Sequence, residues 1–249
     1  MTDLIIWMIA VFVAFFVKGL CGFANTLVFQ SILSFQNDNK NISPVELILT
    51  YPANIILMVK ERKSLKWSVC LPLTILVVIG SVPGILLLKS ADTTIIKLIF
   101  GAVTVAVAVE MFFRMRRKTE KEEGTGAKIV MFLIGLLSGV LCGLYGVGAL
   151  LGAFIGRKTE TLSAFKANMS FIFVVENTLR IVLYIVLGIL TLEILSKAII
   201  LIPFMFAGLF LGMFASRFVN ETLAKKLIIL ALIISGISLI VTSSMVLIG

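Results

Sequence analysis

The sequence predicts an all-α polytopic membrane protein of two inverted four-segment repeats. Each repeat opens with a glycine-broken helix that folds back like a re-entrant hairpin. Three observations point there. The chain is 60% hydrophobic and 14% charged, with a mean hydropathy of +1.15 over 249 residues. A soluble domain of that length cannot hide so much apolar surface. Two apolar stretches are interrupted by clustered glycines, Lys18 to Asn25 (KGLCGFAN) and Gly139 to Ala149 (GVLCGLYGVGA). The two halves of the chain also repeat one another, and their loop charges are unevenly distributed.

In chain order, the first repeat covers 1–118, with a broken segment at 4–35 and helices at 44–59, 67–88 and 94–113. A charged stretch, 119–127, is expected to link it through the cytoplasm to the second repeat, 128–249. That repeat has a broken segment at 128–155 and helices at 164–187, 195–215 and 223–248, and both repeats are expected to form one domain overall. GSVPGILLLKSADTTIIK from Gly80 matches GLFLGMFASRFVNETLAKK from Gly208 at an offset of 128. In that match Asp92 falls on Asn220 and Lys97 on Lys225. Gly19 and Gly22 fall on Gly143 and Gly146 at offset 124, and Asn54 falls on Asn177 at offset 123. A rival register at offset 121 pairs Leu20-Cys21-Gly22 with Leu141-Cys142-Gly143, and the sequence leaves the two open.

A broken helix in hydrocarbon exposes N–H and C=O groups that cost several kcal/mol each when unpaired, so it survives only inside protein or at a polar cavity. As a single helix, 4–35 would be about 48 Å long and would need a tilt of about 50° in a core of about 30 Å. As a hairpin, each arm needs about ten residues to reach the midplane. Charge separates the two arrangements. Of the 22 Lys and Arg residues, all but Lys18 and Arg180 are assigned to loops or segment ends. Eight plain crossings divide those 20 as 9 against 11. Two hairpins leave only Lys40, Lys89, Lys97 and Lys197 on one side and gather 16, Lys166 among them, on the other. Basic loops stay in the cytoplasm, so the hairpins are preferred and both termini are expected outside. Trp7 and Trp67 are then placed at the outer and inner interfaces, where indole rings prefer to sit. Met1-Thr2-Asp3 lacks a basic n-region, so no cleavable signal peptide is expected.

A hairpin tip at mid-membrane presents the N-terminus of its second arm, whose free N–H groups and dipole suit an anion. Gly19, Gly22, Gly143, Gly146 and Gly148 permit close backbone approach there, or else serve helix packing. Lys18 opens the first break, and a lysine at that depth marks function by default. Asn25 is placed to cap the second arm or to donate to a ligand. Glu176 and Arg180 stand four apart, in the order that favours an ion pair. The pair is either structural or holds the arginine towards substrate. Asn54 and Asn177 share one slot of the repeat and are expected to face the same cavity. Cys21 and Cys142 each precede a glycine in a break and are small hydrophobes or reactive thiols. With no histidine in the chain, neither a catalytic residue nor a metal site nor a cofactor is expected, and the protein is not read as an enzyme. No GxxxxGK[ST] motif is present, so ATP does not drive it from within this chain.

The doubled glycine-broken motif, the length and the two four-segment repeats resemble the TauE/SafE sulfite exporter family. Here Gly22-Phe23-Ala24 stands where that family usually has Gly-Phe-Gly, and Gly146-Val147-Gly148-Ala149 where it usually has Gly-x-Gly-Gly. The resemblance implies a secondary transporter in the cell membrane that exports sulfite, a sulfonate or a related organic anion. An anion channel of the same fold is the alternative. The expected partners are a small anionic substrate, membrane lipid, and a coupling proton or sodium ion. A homodimer is left open, and no nucleic acid is expected.

Overall fold

The computed structural model describes residues 2–33, 39–90, 125–146 and 148–220, with single positions in 94–113 and 222–244. Most of the expected segments 94–113 and 223–248, the linker up to Gly124, and the repeat partners Asp92, Lys97 and Lys225 lie outside the described residues. Eight α-helices are fully described: α1 Thr2–Cys21, α2 Asn25–Leu33, α3 Asn39–Glu61, α4 Trp67–Ser90, α5 Thr125–Tyr145, α6 Ala149–Lys158, α7 Leu162–Val186 and α8 Leu192–Ala215. A 3-10 turn, Arg62–Ser64, joins α3 to α4, and no strand occurs among the described residues.

Five of these helices, α1, α3, α4, α7 and α8, are long and apolar enough to cross a membrane. Their outer faces are apolar too. Ile5, Ile9 and Val13 are exposed along α1, as are Leu71, Ile75 and Ile79 along α4, each at helical spacing. Such stripes would aggregate in water and are at ease only against lipid. The chain is a multi-pass membrane protein.

The helix ends correct the expected breaks. α1 continues to Cys21 and α5 to Tyr145, so each interruption is only three residues long, 22–24 and 146–148. Lys18, Gly19 and Cys21 therefore sit in the last turn of α1, and Cys142 and Gly143 in that of α5. The helices persist because the ladder closes normally up to the positive-φ glycine: Gly22 N donates to Lys18 O at 2.6 Å, and Gly146 N to Cys142 O at 2.7 Å. Only then do Gly22 (φ +88) and Gly146 (φ +72) enter a region that side chains resist. The arms are also unequal. α1 is long enough to cross on its own, whereas α2 has nine residues. α2 runs back along α1, with the Trp7 and Phe29 rings 5.5 Å apart and Lys18 bonded to Asn25.

Glycines set the helix pairings. A Cβ at Gly208 or Gly212 would strike the Phe12 or Phe16 carbonyl, and one at Gly19 the Leu209 carbonyl, so α8 packs backbone to backbone on α1. In the other pair, a Cβ at Gly80 or Gly84 would strike the Leu136 or Val140 carbonyl, and one at Gly143 the Ser81 carbonyl. α4 thus packs on α5 in the same way. Small residues permit this approach where lipid supplies no hydrophobic drive. The second set of contacts is the first shifted by 124 residues on α1/α5 and by 128 on α8/α4. Helix ends, positive-φ glycines and helix starts all follow the 124 register, and none follows 121. Gly19 and Gly143 are packing residues.

α3 and α7 run antiparallel: Ser43 meets Arg180 and Tyr184, Tyr51 meets Thr178, and Lys66 N donates to Asn168 Oδ1 at 3.2 Å. The 62–67 turn therefore lies beside the start of α7. Two expectations change here. Trp7 is fully buried, with Lys197 Nζ 3.6 Å from its ring centroid, because α2 and α8 cover it; Trp67, by contrast, is exposed. Lys166, expected among the loop cations, is only 3% exposed, because its stem lies over Gly22 and its Nζ bonds Gly19 O at 2.9 Å.

Candidate functional site

The two breaks meet. Phe23 and Ala24 of the first, Gly146 and Gly148 of the second, and Asn25, Thr26 and Leu27 at the start of α2 line one small cavity together with Phe173 of α7. It has room for about one water molecule. α2 and α6 both start at this cavity, at Asn25 and Ala149. Helix N-termini leave N–H groups without intrahelical partners and favour negative charge.

A polar cluster stands around it. Lys18, fully buried, donates to Asn25 Oδ1 at 2.9 Å, and its Nζ lies 5.7 Å from the Phe173 ring centroid. With its oxygen held by the ammonium, Asn25 turns its amide nitrogen to Glu46 Oε1 and Thr50 Oγ1, both at 2.7 Å. Thr26 Oγ1 donates to the same Glu46 oxygen at 2.6 Å, and Thr50 Oγ1 donates to it as well. Asn25 is therefore the hub of a network, not a helix cap.

Arg180 approaches from α7. Its Nε donates to Tyr184 Oη at 3.1 Å and its Nη2 to Ser43 Oγ at 2.5 Å. A Cβ on Gly146 would lie 2.6 Å from Arg180 Nη1 and 3.0 Å from Glu46 Oε2. The second break is thus wedged between a guanidinium and a carboxylate. The expected Glu176–Arg180 pair does not form as a hydrogen-bonded pair. Arg180 reaches across to α3 and one turn onward to Tyr184, and both Glu176 oxygens lack a hydrogen-bond partner among the described residues. Spacing puts the two on one face, but the competing hydroxyls take the guanidinium.

The other expected residues divide as follows. Gly22 lies under the Lys166 stem, beside the cavity wall and not in it. Asn54 and Asn177 are both buried, yet neither lines the cavity; both ends of the Asn54 amide and the Asn177 nitrogen have no hydrogen-bond partner among the described residues. Cys21 and Cys142 are buried in the apolar core.

The chain matches the family model described as sulfite exporter TauE/SafE over residues 7–239. It belongs to the TauE/SafE family. This is a family of membrane transporters, and the TauE/SafE match spans both glycine breaks and every buried charge described above. No curated protein and no solved structure matches the chain.

Sequence reasoning missed Glu46, Thr26, Thr50, Ser43 and Tyr184, and read Lys166 as a loop charge. Glu46 carried a usable signal, being the one acid inside the apolar run 44–59. An intramembrane carboxylate is a functional candidate by default. Counting the buried charges among the described residues, Lys18, Lys166 and Arg180 outnumber Glu46 and Glu176. The excess is positive.

Proposed function

We propose that this chain is a secondary transporter that exports a small sulfur-containing anion, sulfite or a sulfonate, held between the breaks at 22–24 and 146–148. The observation that carries this reading is the meeting of both breaks on one cavity, backed by buried Lys18 and Arg180. The helix N-termini at Asn25 and Ala149 add partial positive charge without a counter-ion. Sulfur and the outward direction rest on the family. A cavity with room for about one water suits a closed, substrate-free state, so binding an anion requires the breaks to separate. That behaviour belongs to a carrier and not to an open channel. A proton or sodium gradient is the driving force in this reading, since the chain has no nucleotide-binding motif.

The decisive measurement is counterflow in proteoliposomes holding the purified chain. Unlabelled sulfite inside is expected to accelerate uptake of labelled sulfite several-fold. Sulfite flux without acceleration would favour the channel, and no flux of sulfite or methanesulfonate would overturn anion transport altogether.

The inverted-repeat reading is supported by the glycine contacts that recur at 124 and 128 and by α2 running back along α1. It is supported too by the 62–67 turn lying beside the start of α7, since eight plain crossings would put them on opposite sides. With Lys166 removed from the loop charges, the basic loops still gather on that end, which supports a reading with both termini outside. Single cysteines at Lys63 and Glu160, in a chain lacking Cys21, Cys70 and Cys142, are expected to react only with reagent on the cytoplasmic face. One at Glu193 should react only from outside. Labelling of Lys63 and Glu160 from opposite faces would exclude the hairpins.

A further inference from the structure

We propose that the Glu46 carboxylate is a tethered occupant of the anion subsite: Asn25, Thr26 and Thr50 are the donors that grip a substrate oxygen, and Glu46 holds them until an oxyanion replaces it. The inference rests on the transport reading above and assigns that site its donors and its competitor.

The geometry is that of an anion site already filled. Three donors converge on one oxygen, Glu46 Oε1: the Asn25 amide at 2.7 Å, the Thr26 hydroxyl at 2.6 Å and the Thr50 hydroxyl. Glu46 is 1% exposed, so bulk solvent does not reach it to compete for them. Lys18 fixes the set from behind. Its Nζ holds Asn25 Oδ1 at 2.9 Å, and a flipped amide would turn its NH2 group against the ammonium. The other carboxylate oxygen, Oε2, lies against Gly146 on the side where Arg180 Nη1 approaches. Glu46 therefore lies between the start of α2, where it accepts from Asn25 and Thr26, and Gly146 of the second break.

Sulfite and sulfonates share the relevant chemistry with a carboxylate, namely oxygens that accept hydrogen bonds and carry delocalised negative charge. Donors that satisfy Glu46 can satisfy them. Both cannot be accommodated at once. Asn25 and Thr26 line the cavity, and it has room for about one water molecule, less than a four-heavy-atom anion needs. Two negative charges about 5 Å apart at an effective dielectric of about 20 also repel by enough to weaken binding on the order of a hundredfold. Binding therefore displaces Glu46 from its donors, and its release frees the contact that joins the start of α2 to the second break. If Glu46 were only a counter-ion for Lys18, its removal would not improve anion binding through these donors.

The test is the dissociation constant of sulfite, with methanesulfonate as second probe, for the purified full chain in detergent by calorimetry. Glu46→Gln keeps an acceptor for the three donors and removes the competing charge, and is expected to bind at least tenfold more tightly than the wild type. Glu46→Asp retains the charge on a shorter stem and should tighten binding by a smaller factor; it carries the test if the glutamine variant does not fold. Thr26→Val added to either variant should weaken binding about tenfold, which a mere counter-ion role does not predict. Unchanged or weaker binding in both Glu46 variants, with the wild type binding sulfite, would overturn the subsite and leave anion transport standing. Failure of sulfite and methanesulfonate to bind the wild type and both variants would overturn the transport reading and this inference with it.

Discussion

Arg180→Ala is expected to abolish transport and to destabilise the protein by about 3–5 kcal/mol, the usual cost of stranding the partners of a buried charge. Arg180 is fully buried, and its loss would take a charged donor from both Ser43 and Tyr184 and leave Glu46 with one cation fewer nearby. Arg180→Lys separates recognition from folding. It keeps the charge but loses the planar fork that can serve Ser43, Tyr184 and an anion at once. One lost charge-assisted hydrogen bond is about 1.5–3 kcal/mol, so apparent affinity should fall about 10- to 100-fold while expression holds. Thermal unfolding in detergent and concentration-dependent uptake measure the two effects. Normal uptake by a well-folded Glu176→Gln, Arg180→Gln double variant would remove Arg180 from the anion site.

Gly146→Leu should reduce transport more than a hundredfold while the protein still reaches the membrane. The new Cβ would fall 2.6 Å from the guanidinium of Arg180 and 3.0 Å from the carboxylate of Glu46, at a φ of +72 that also strains any L side chain. Strain alone is about 1–2 kcal/mol. Gly188→Ala isolates that part, because Gly188 has φ +67 but open space where its Cβ would go. Gly188→Ala should therefore transport normally with a slightly lower melting temperature. Full uptake by Gly146→Leu would show that the second break does not contact the moving anion.

Much of the fold was legible because lipid simplifies the code. Apolar runs marked α3, α4, α7 and α8 to within a few residues, since every backbone group in hydrocarbon must be paired within its helix. The breaks were found but drawn too wide. A cluster of glycines does not say which one leaves the helix, and of the described glycines in the two clusters only Gly22 and Gly146 take positive φ. Gly19 and Gly143 belong to α1–α8 and α4–α5 packing, which depends on partners more than 60 residues away for Gly143 and nearly 200 for Gly19. Lys18, Asn25 and Arg180 could be picked out as substrate-contact candidates, and all three are buried, since polarity inside an apolar run is visible without coordinates. Their partners were not visible.

By itself the sequence determined the membrane class and the helical content, because composition and period depend only on neighbours along the chain. It also determined the family, through motifs that survive as spacing. Only the tertiary structure decided the 124 register over 121, the burial of Trp7 and Lys166, and the hydroxyls that take Arg180 from Glu176. It alone brought Glu46 to Asn25, 21 positions away, and to Gly146 of the other half. Side-chain pairing in a low-dielectric interior goes to whichever donor and acceptor the packed helices bring within about 3 Å, and spacing along one helix does not specify that.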